Sequence, residues 1–260
     1  MIAPLMTNQQ DAFAAACRFD RVFGSKCLCA FQAYGPDSAK ASFFLETAGG
    51  TPAAALYLSE GVLTVSSKGR SDPASLAKLI RREAVDEVDT NWELCAALHQ
   101  LLGGNTESSW YMEYASGQKP EGDFSGISPA DESHLPEIFE VLGQSHEYYR
   151  THYRFEPWAE DLKLRMRKNL TELCLLRRDG RTIGTGSIAS EDESAGAIAA
   201  VAVIPEFRHR GLGGAITSYL TQRLLDRQKL PVLISGYDEV ASLYRKLGFK
   251  ETGRWGELYL

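Results

Sequence analysis

The sequence predicts an α/β protein in which each of two similar halves has a mixed β-sheet with flanking helices. Segments of strand length and segments with helical periodicity alternate along the chain. Of the 260 residues, 44% are hydrophobic and 24% are charged, a composition typical of a folded domain with a large core. At about 150 residues per domain, the length predicts one or two domains.

The first half of the chain predicts helices at both ends with strands between them. The predicted elements are a helix over residues 9–23, strands over 27–34, 41–47 and 52–58, and helices over 73–82 and 91–102. The first helix ends before Gly24 because glycine commonly follows the last helical residue. Asp72 and Pro73 supply a cap and a first-turn proline for the helix that follows them.

The second half begins after a linker and repeats this alternation. Residues 115–123 are polar and rich in turn formers, so we set the domains at 1–117 and 118–260. The predicted elements are helices over 128–142 and 158–169, strands over 170–176, 182–189 and 196–204, a helix over 211–225, a strand over 231–235 and a helix over 239–247.

The two halves resemble each other in sequence. Residues 96–103 match 241–248 at an offset of 145 residues, and Trp110 and Trp255 share that offset, as do Tyr114 and Tyr259. The turn at Gly49 and Gly50 matches Asp179 and Gly180 at an offset of 130, which makes the first copy 15 residues shorter in its middle. We therefore predict tandem copies of one fold, with unrelated α/β halves as the alternative.

Composition excludes several classes of protein. A net charge of −6 argues against a nucleic-acid partner, which would need a basic face. The longest apolar run has ten residues, whereas a membrane-spanning helix needs about 20, so we expect no membrane anchor and no signal peptide.

Five irregularly spaced cysteines predict free thiols in the cytoplasm. The histidines form no ligand pair, so we expect no metal.

The clearest chemical signal is a basic, glycine-rich turn between a strand and a helix. Residues 203–214 read VIPEFRHRGLGG. Glycines let backbone N–H groups converge on an anion at a helix N-terminus, and Arg208 and Arg210 add positive charge. The turn fits neither a P-loop nor a dinucleotide fingerprint, since it lacks the lysine of the first and the third glycine of the second. A glycine-rich turn that serves packing alone is the alternative.

This segment resembles the pyrophosphate loop of the GNAT superfamily of acyl-CoA-dependent N-acetyltransferases. The family reads Arg/Gln-x-x-Gly-x-Gly/Ala after a strand ending Val-x-Pro, and residues 203–205 and 208–213 match both parts. The family's second motif, Leu-Tyr-x-x-Leu-Gly-Phe, matches residues 243–249. The resemblance covers about residues 124–260 and implies an acetyl-CoA-binding fold there.

The resemblance also implies roles for individual residues. Tyr244 would lie near the thioester sulfur and protonate the leaving thiolate, while Asp238 stands where the family often has asparagine. The backbone of the strand would pair with the pantetheine arm, and the turn would cradle the pyrophosphate. The predicted cofactor-binding residues are Val201, Ala202, Val203, Arg208, His209, Arg210, Gly211, Leu212, Gly213 and Gly214.

A general base is harder to assign. Many family members have a glutamate near Leu233, but residues 231–234 contain no acid. We expect residues 191–193 to be a solvated hairpin tip. One cluster falls where the family has the wall of its acceptor pocket: His146, Tyr148, Tyr149, His152, Tyr153 and Trp158. Ordinary core and surface packing of these residues is an equal alternative.

The N-terminal half lacks the loop. Residues 66–71 contain one glycine, and His99 stands in place of the tyrosine, so we expect a degenerate copy without a cofactor. The sequence thus predicts transfer of an acetyl group from acetyl-CoA to a primary amine of a small molecule or peptide, by a monomer or homodimer. The alternative is a non-catalytic acyl-CoA-binding or regulatory module.

Overall fold

The computed structural model describes residues 1–69 and 71–260, without the side chains of Tyr148 and His152. Arg70, from the segment 66–71, and those two side chains therefore lie outside the described residues. The chain forms two compact units. Unit 1 contains Met1–Met112, Ile234–Tyr237 and Glu251–Leu260, and unit 2 contains Glu113–Leu233 and Asp238–Lys250. The domain boundary set at residue 117 stays a prediction.

Unit 1 has four helices and a sheet of seven strands among its described residues. Its elements are β1 (Ile2–Pro4), α1 (Gln10–Cys17), α2 (Phe23–Tyr34), β2 (Ser42–Ala48), β3 (Thr51–Ser59), β4 (Val62–Ser67), α3 (Pro73–Arg82), β5 (Glu87–Asn91), α4 (Trp92–Leu102), β6 (Asn105–Tyr114) and β12 (Phe249–Tyr259). The strand order is β1-β2-β3-β4-β5-β12-β6, with β4 parallel to β5 and β12 antiparallel to β5.

Two apolar clusters fill unit 1. One cluster includes Leu76 of α3 and Leu98 of α4 together with Val88 of β5. The other joins Phe13 of α1 and Cys27 of α2 to β2 and β3. Because side chains alternate between the faces of a strand, the sheet is covered by helices on both faces.

The predicted strand over residues 27–34 is wrong, because this segment belongs to helix α2. Buried Phe23, Cys27 and Ala30 recur at intervals of three and four residues, which is the spacing of a helix face. Asp20 accepts hydrogen bonds from the N–H groups of Val22 and Phe23 at the start of α2. A Cβ on Gly24 would lie 1.5 Å from the Cys17 carbonyl oxygen. Gly24 therefore lies within α2, where the absence of a side chain lets α2 approach the end of α1. The first helix ends earlier than predicted, at Cys17.

Unit 2 has a mixed sheet between two sets of helices. Its elements are β7 (Ile127–Pro129), α5 (Leu135–Ser145), α6 (Glu147–His152), α7 (Phe155–Arg167), β8 (Glu172–Arg178), β9 (Arg181–Glu191), β10 (Ala195–Val203), α8 (Leu212–Asp226), β11 (Leu230–Ser235) and α9 (Asp238–Lys246). The strand order is β11-β10-β9-β8-β7, and β10 is parallel to β11. A Cβ on Gly186 would lie 2.6 Å from Ile216, so glycine lets α8 approach the sheet closely.

The helix predicted to begin at Ser128 starts later. Residues 127–129 instead form β7, which pairs with β8. Asp131 caps a short 3₁₀ turn, and α5 begins at Leu135. Pro129 is tolerated because a short strand at the edge of a sheet does not need every backbone N–H group for hydrogen bonds to a neighbouring strand.

The predicted repeat is confirmed by the order of elements. The order β2-β3-β4-α3-β5-α4-β6 is repeated as β8-β9-β10-α8-β11-α9-β12. Helix α3 has 10 residues and α8 has 15, so five of the 15 residues of predicted shortening lie in this helix. The five cysteines are buried free thiols. No described helix is long and apolar enough to cross a membrane.

Candidate functional site

Strand β10 carries a bulge beside the predicted cofactor-binding loop. The register changes from Ala199 opposite Ser187 to Ala202 opposite Thr185, so β10 has one extra residue. Ala200 has a φ of +53°, which is left-handed. A bulge leaves backbone groups outside the ladder. Of the strand residues predicted to bind the pantetheine arm, Val201 therefore lies within the bulge, whereas Ala202 and Val203 pair regularly with β9.

The loop after β10 opens the first turn of α8. His209 and Gly211 have φ values of +60° and +77°, and no described side chain caps the helix at Gly211. The first N–H groups of a helix have no partner within it, so those of Leu212 to Gly214 point outward. A Cβ on Gly211 or Gly213 would meet no described atom within 4 Å. This open, uncapped turn, which contains no acid, fits an anion.

The two arginines of the loop bind backbone carbonyls. Arg208 donates from Nε to the Val203 carbonyl at 3.0 Å and from Nη2 to the Ser145 carbonyl at 2.8 Å. It therefore links the end of β10 to the end of α5. Arg210 donates to the Glu206 carbonyl, and its guanidinium lies 5.0 Å from the centre of the Phe207 ring. Both side chains therefore stabilise the conformation of the loop, and their positive charges lie next to it.

His146 lies next to the bulge. It follows the last residue of α5, and its N–H bonds to the Leu142 carbonyl at 2.8 Å. The pKa of His146 is lowered chiefly by burial; the nearby Val201 backbone opposes this shift, and the charge of Arg208 adds to it. The residue is nevertheless exposed to solvent, so a neutral imidazole is accessible here.

Helix α9, which carries Tyr244, packs against the start of α8. A Cβ on Gly214 would lie 3.6 Å from Leu243 and 3.8 Å from Leu247, so α9 packs against the first turn of α8. Tyr244 is 8% exposed and contacts the Phe249 ring, with centroids 6.0 Å apart. Burial raises the pKa of Tyr244 to about 12, so the hydroxyl is protonated at neutral pH. The two motifs predicted from the sequence thus come together.

The aromatic cluster predicted to wall an acceptor pocket divides into two groups. The rings of Tyr149 and Tyr153 stack with centroids 4.9 Å apart, and His146 lies 6.3 Å from Tyr149. Trp158 instead packs against Phe139 at 5.1 Å. The first group therefore includes His146, while Trp158 belongs to the contact between α5 and α7.

The acids expected at a solvated hairpin tip are not all solvated. Glu191 closes strand β9, and its carboxylate pairs with Arg227 at 2.9 Å and with Lys229 at 3.0 Å. Arg227 also pairs with Glu172. Glu191 is therefore held in an ion-pair network rather than exposed at a turn. Asp238 is the first residue of α9 and is exposed.

In unit 1, carboxylates occupy the place where unit 2 has open amides. Asp72 caps α3 by accepting from the N–H groups of Ala74 and Ser75, each at 3.2 Å. Glu46 is 1% exposed, accepts from the Asp72 N–H at 2.9 Å and also binds the Ser71 hydroxyl. The helix start is thereby satisfied by the protein's own anions. Glu46 was missed in the sequence, although one acid within an apolar strand was a signal.

A second group of ionisable side chains crosses β5 and β12. Oxygens of Glu87, Asp89 and Glu257 lie within 4.8 Å of one another, and Asp89 and Glu257 are directly opposite. Lys26 pairs with Asp89 at 2.7 Å. Burial raises the pKa of Glu257 to about 7, and the charges of Asp89, Glu87 and Glu107 add to the shift. The expectation that the protein carries no metal stays a prediction.

Replacing Glu257 with glutamine should make the protein more stable at pH 8. The pKa of the Glu257 carboxyl group rises from an ordinary 4.5 to about 7 on folding. Ionisation of this group therefore destabilises the folded protein increasingly as the pH rises from 4.5 to about 7. At 1.36 kcal/mol per pKa unit, the gain in the free energy of unfolding should be roughly 1–3 kcal/mol at pH 8 and close to zero near pH 4.5. Urea unfolding at both values measures it, with Glu251→Gln on the same strand as control. An equal effect at both values would contradict the shift.

Comparisons with known proteins agree with these observations. Residues 169–251 match the family model described as an acetyltransferase (GNAT) domain. A search of curated proteins found no match. A GCN5-related N-acetyltransferase from Kribbella flavida is similar in structure, with a TM-score of 0.63, 18% identity, and coverage of 94% of this chain and 95% of that one.

Two further solved structures extend over nearly the whole chain. A tandem GNAT protein from the clavulanic acid biosynthesis pathway, solved without AcCoA, has a TM-score of 0.63 and 11% identity, covering 99% of this chain and 97% of that one. A GCN5-related N-acetyltransferase from Sphaerobacter thermophilus has a TM-score of 0.61 and 18% identity, covering 99% and 94%. At these identities the structures establish the fold.

The chain is therefore an α/β protein of GNAT fold, and residues 169–251 of it match a GNAT acetyltransferase domain. Its N-terminal half resembles that of tandem GNAT proteins, so the predicted tandem arrangement is confirmed. Both expectations came from the two motifs and the internal repeat.

Proposed function

We propose that the protein transfers an acetyl group from acetyl-CoA to a primary amine, with the cofactor bound in unit 2. The observation that carries the proposal is the uncapped first turn of α8 beside the bulge of β10. In this proposal the amides of His209 to Gly214 bind the pyrophosphate, and the backbone of Val201 to Val203 pairs with the pantetheine arm. A helix N-terminus favours such an anion through its N–H groups and its dipole.

Tyr244 supports the leaving group in this proposal. A free thiol has a pKa near 8.5, whereas that of Tyr244 is about 12. Complete proton transfer from the hydroxyl to the thiolate is therefore unfavourable. Tyr244 instead donates a hydrogen bond to the sulfur as charge develops on it, which is the way fixed donors stabilise transition states.

The alternative class is a non-catalytic acyl-CoA-binding or regulatory module, which the lack of an acid on β11 favours. Release of free thiol from acetyl-CoA separates the two. We expect release with at least one member of a panel containing small amines, aminoglycosides, peptides with free N-termini and protein termini. Cofactor binding by calorimetry without turnover of any acceptor would favour the binding module. We expect a cytoplasmic protein, acting as monomer or homodimer.

Titration with acetyl-CoA should give one equivalent per chain. In unit 1 the carboxylates of Glu46 and Asp72 occupy the start of α3, and a phosphate there would meet negative charge. In unit 2 the start of α8 carries no acid. Isothermal titration calorimetry measures the ratio, and two tight equivalents would contradict the assignment of a degenerate first copy.

A further inference from the structure

We propose that unit 1 binds one hard divalent cation of the Ca²⁺ type across β5 and β12, with Glu87, Asp89 and Glu257 as its ligands. Oxygens of these three carboxylates lie within 4.8 Å of one another. Oxygen ligands lie about 2.3–2.6 Å from Ca²⁺, so two ligands on opposite sides of one ion are about 5 Å apart. A single ion can therefore reach all three side chains. The site lies entirely within unit 1 and is independent of the function proposed for unit 2.

The ligands belong to a row of side chains on the face of the sheet that α2 covers. Thr64 of β4 lies opposite Asp89 of β5, and Asp89 lies opposite Glu257 of β12. Residues opposite each other in neighbouring strands have their side chains on one face. Glu87 is two residues before Asp89 and therefore shares that face. Lys26 of α2 pairs with Asp89, so the row lies beneath α2.

Two buried polar atoms of this row have no partner, which is an observation separate from the clustering of acids. Thr64 is 0% exposed, and its Oγ1 has no hydrogen-bond partner among the described residues. Asp89 is 3% exposed. Its Oδ2 accepts from Lys26 at 2.7 Å, whereas its Oδ1 has no partner in the described part of the chain.

These two atoms indicate what the row can bind. A buried polar atom without a partner costs free energy, and in native proteins such atoms commonly bind water or an ion. The Oδ1 atom of Asp89 can act as a ligand to a cation, because Lys26 contacts the other oxygen. The hydroxyl group of Thr64 can hydrogen-bond a water molecule that completes the coordination of that cation.

The charges of the row also favour a divalent cation. Among the described residues, Lys26 is the base that pairs with the cluster, and it does so through Asp89 alone. When all of these groups are ionised, three carboxylates and one ammonium leave two negative charges, which one divalent cation neutralises. Glu87 and Glu257 are only partly buried, so an ion can enter from solvent.

The donor set selects the kind of metal. The expectation of a protein without metal was based on histidines and cysteines, which are typical ligands of zinc. Ca²⁺ instead takes oxygen ligands from carboxylates and water. Because β5 and β12 both supply ligands, a bound cation would attach the last strand of the chain to its neighbour. We therefore expect the ion to stabilise unit 1.

Thermal unfolding and calorimetry of the full chain test this site. The protein is treated with EDTA, dialysed at pH 8 and titrated with CaCl₂. We expect one equivalent of Ca²⁺ per chain. At a concentration about 100 times the dissociation constant, Tm should rise by about 5–10 °C. No binding and no rise in Tm at millimolar Ca²⁺ would overturn the proposal.

Two variants locate the bound ion. Glu87→Gln and Glu257→Gln each remove one charged ligand and keep the size of the side chain, so each should lower the affinity for Ca²⁺ by at least about tenfold. Glu107→Gln is the matched control, because the charge of Glu107 also acts on Glu257 but its carboxylate is not one of the three in the cluster. Unchanged affinity in both variants, or an equal loss in the control, would overturn the site.

Ca²⁺ should also reduce the stabilising effect of Glu257→Gln. In EDTA at pH 8 this variant should be more stable than wild type, because one of three repelling carboxylates is gone. In saturating Ca²⁺ the wild type gains stability that the variant gains only in part. The difference in Tm between the two proteins should therefore shrink or change sign. A difference that is the same with and without Ca²⁺ would contradict the assignment of Glu257 as a ligand.

Discussion

Gly213→Leu should abolish acetyl-CoA binding without unfolding the protein. The leucine side chain would fill the space in front of the first turn of α8, where the pyrophosphate is proposed to approach the amides. A Cβ at this position meets no described atom within 4 Å, and Gly213 has no positive φ. The substitution therefore introduces no strain of its own, and replacing a helical glycine stabilises a helix by up to about 1 kcal/mol.

Calorimetry and thermal unfolding together measure this effect. We expect the affinity for acetyl-CoA to fall by at least about 10²-fold, which corresponds to 2.7 kcal/mol of binding free energy at 1.36 kcal/mol per factor of ten. Gly143→Leu is the control, because Gly143 is also a helical glycine with open space at its Cβ, but lies in α5. Equal affinities in wild type and Gly213→Leu would remove the loop from the cofactor site.

Tyr244→Phe should lower kcat by about 10²–10³-fold, the range seen when one donor to a developing negative charge is removed. The affinity for acetyl-CoA should change little, because the sulfur carries no charge in the bound thioester. The ring of phenylalanine keeps the contact with Phe249. The loss should therefore appear in kcat and kcat/KM alike.

Tyr114→Phe is the matched control for this experiment. Tyr114 also packs on Phe249, with ring centroids 5.2 Å apart, but its hydroxyl donates to the Gln118 carbonyl at 2.6 Å. Its loss should affect stability more than turnover. Single-turnover kinetics ensure that chemistry is being measured. An unchanged chemical step in Tyr244→Phe would show that solvent supports the leaving thiolate without the tyrosine.

The loop and helix α9 could be predicted from the sequence because their determinants are local. Arg208, Gly211 and Gly213 lie within one turn of chain, and their spacing alone defines the start of α8. The tyrosine motif lies at the end of a regular helix. The tandem repeat was also readable, since turns and helix ends fall at constant offsets in both copies.

Other features depended on contacts between distant parts of the chain. Strand β5 was not predicted, because the sequence EVDTN places acids at alternate positions and looks solvated. In the structure Asp89 is 3% exposed, and its cation is Lys26, 63 residues away. The binding of Glu46 to the start of α3 also joins remote residues. Burial of a charged group can be judged only when its partner is known.

The position of β12 determines when unit 1 can finish folding. In its sheet β12 lies between β5 and β6, and residues 255–259 pair with Glu87–Asn91. The ribosome makes β5 and β6 long before it makes β12. At about 5–20 residues per second, the gap lasts roughly 10–30 s.

During that interval the nascent chain holds two strands whose shared neighbour does not yet exist. Exposed strand edges of this kind pair readily with other chains. An N-terminal domain usually folds before the next domain has been synthesised. Unit 1 cannot follow this order, because its sheet includes residues 255–259. Unit 1 can therefore complete its sheet only after nearly all of unit 2 has been synthesised, because residues 255–259 follow unit 2 in the chain.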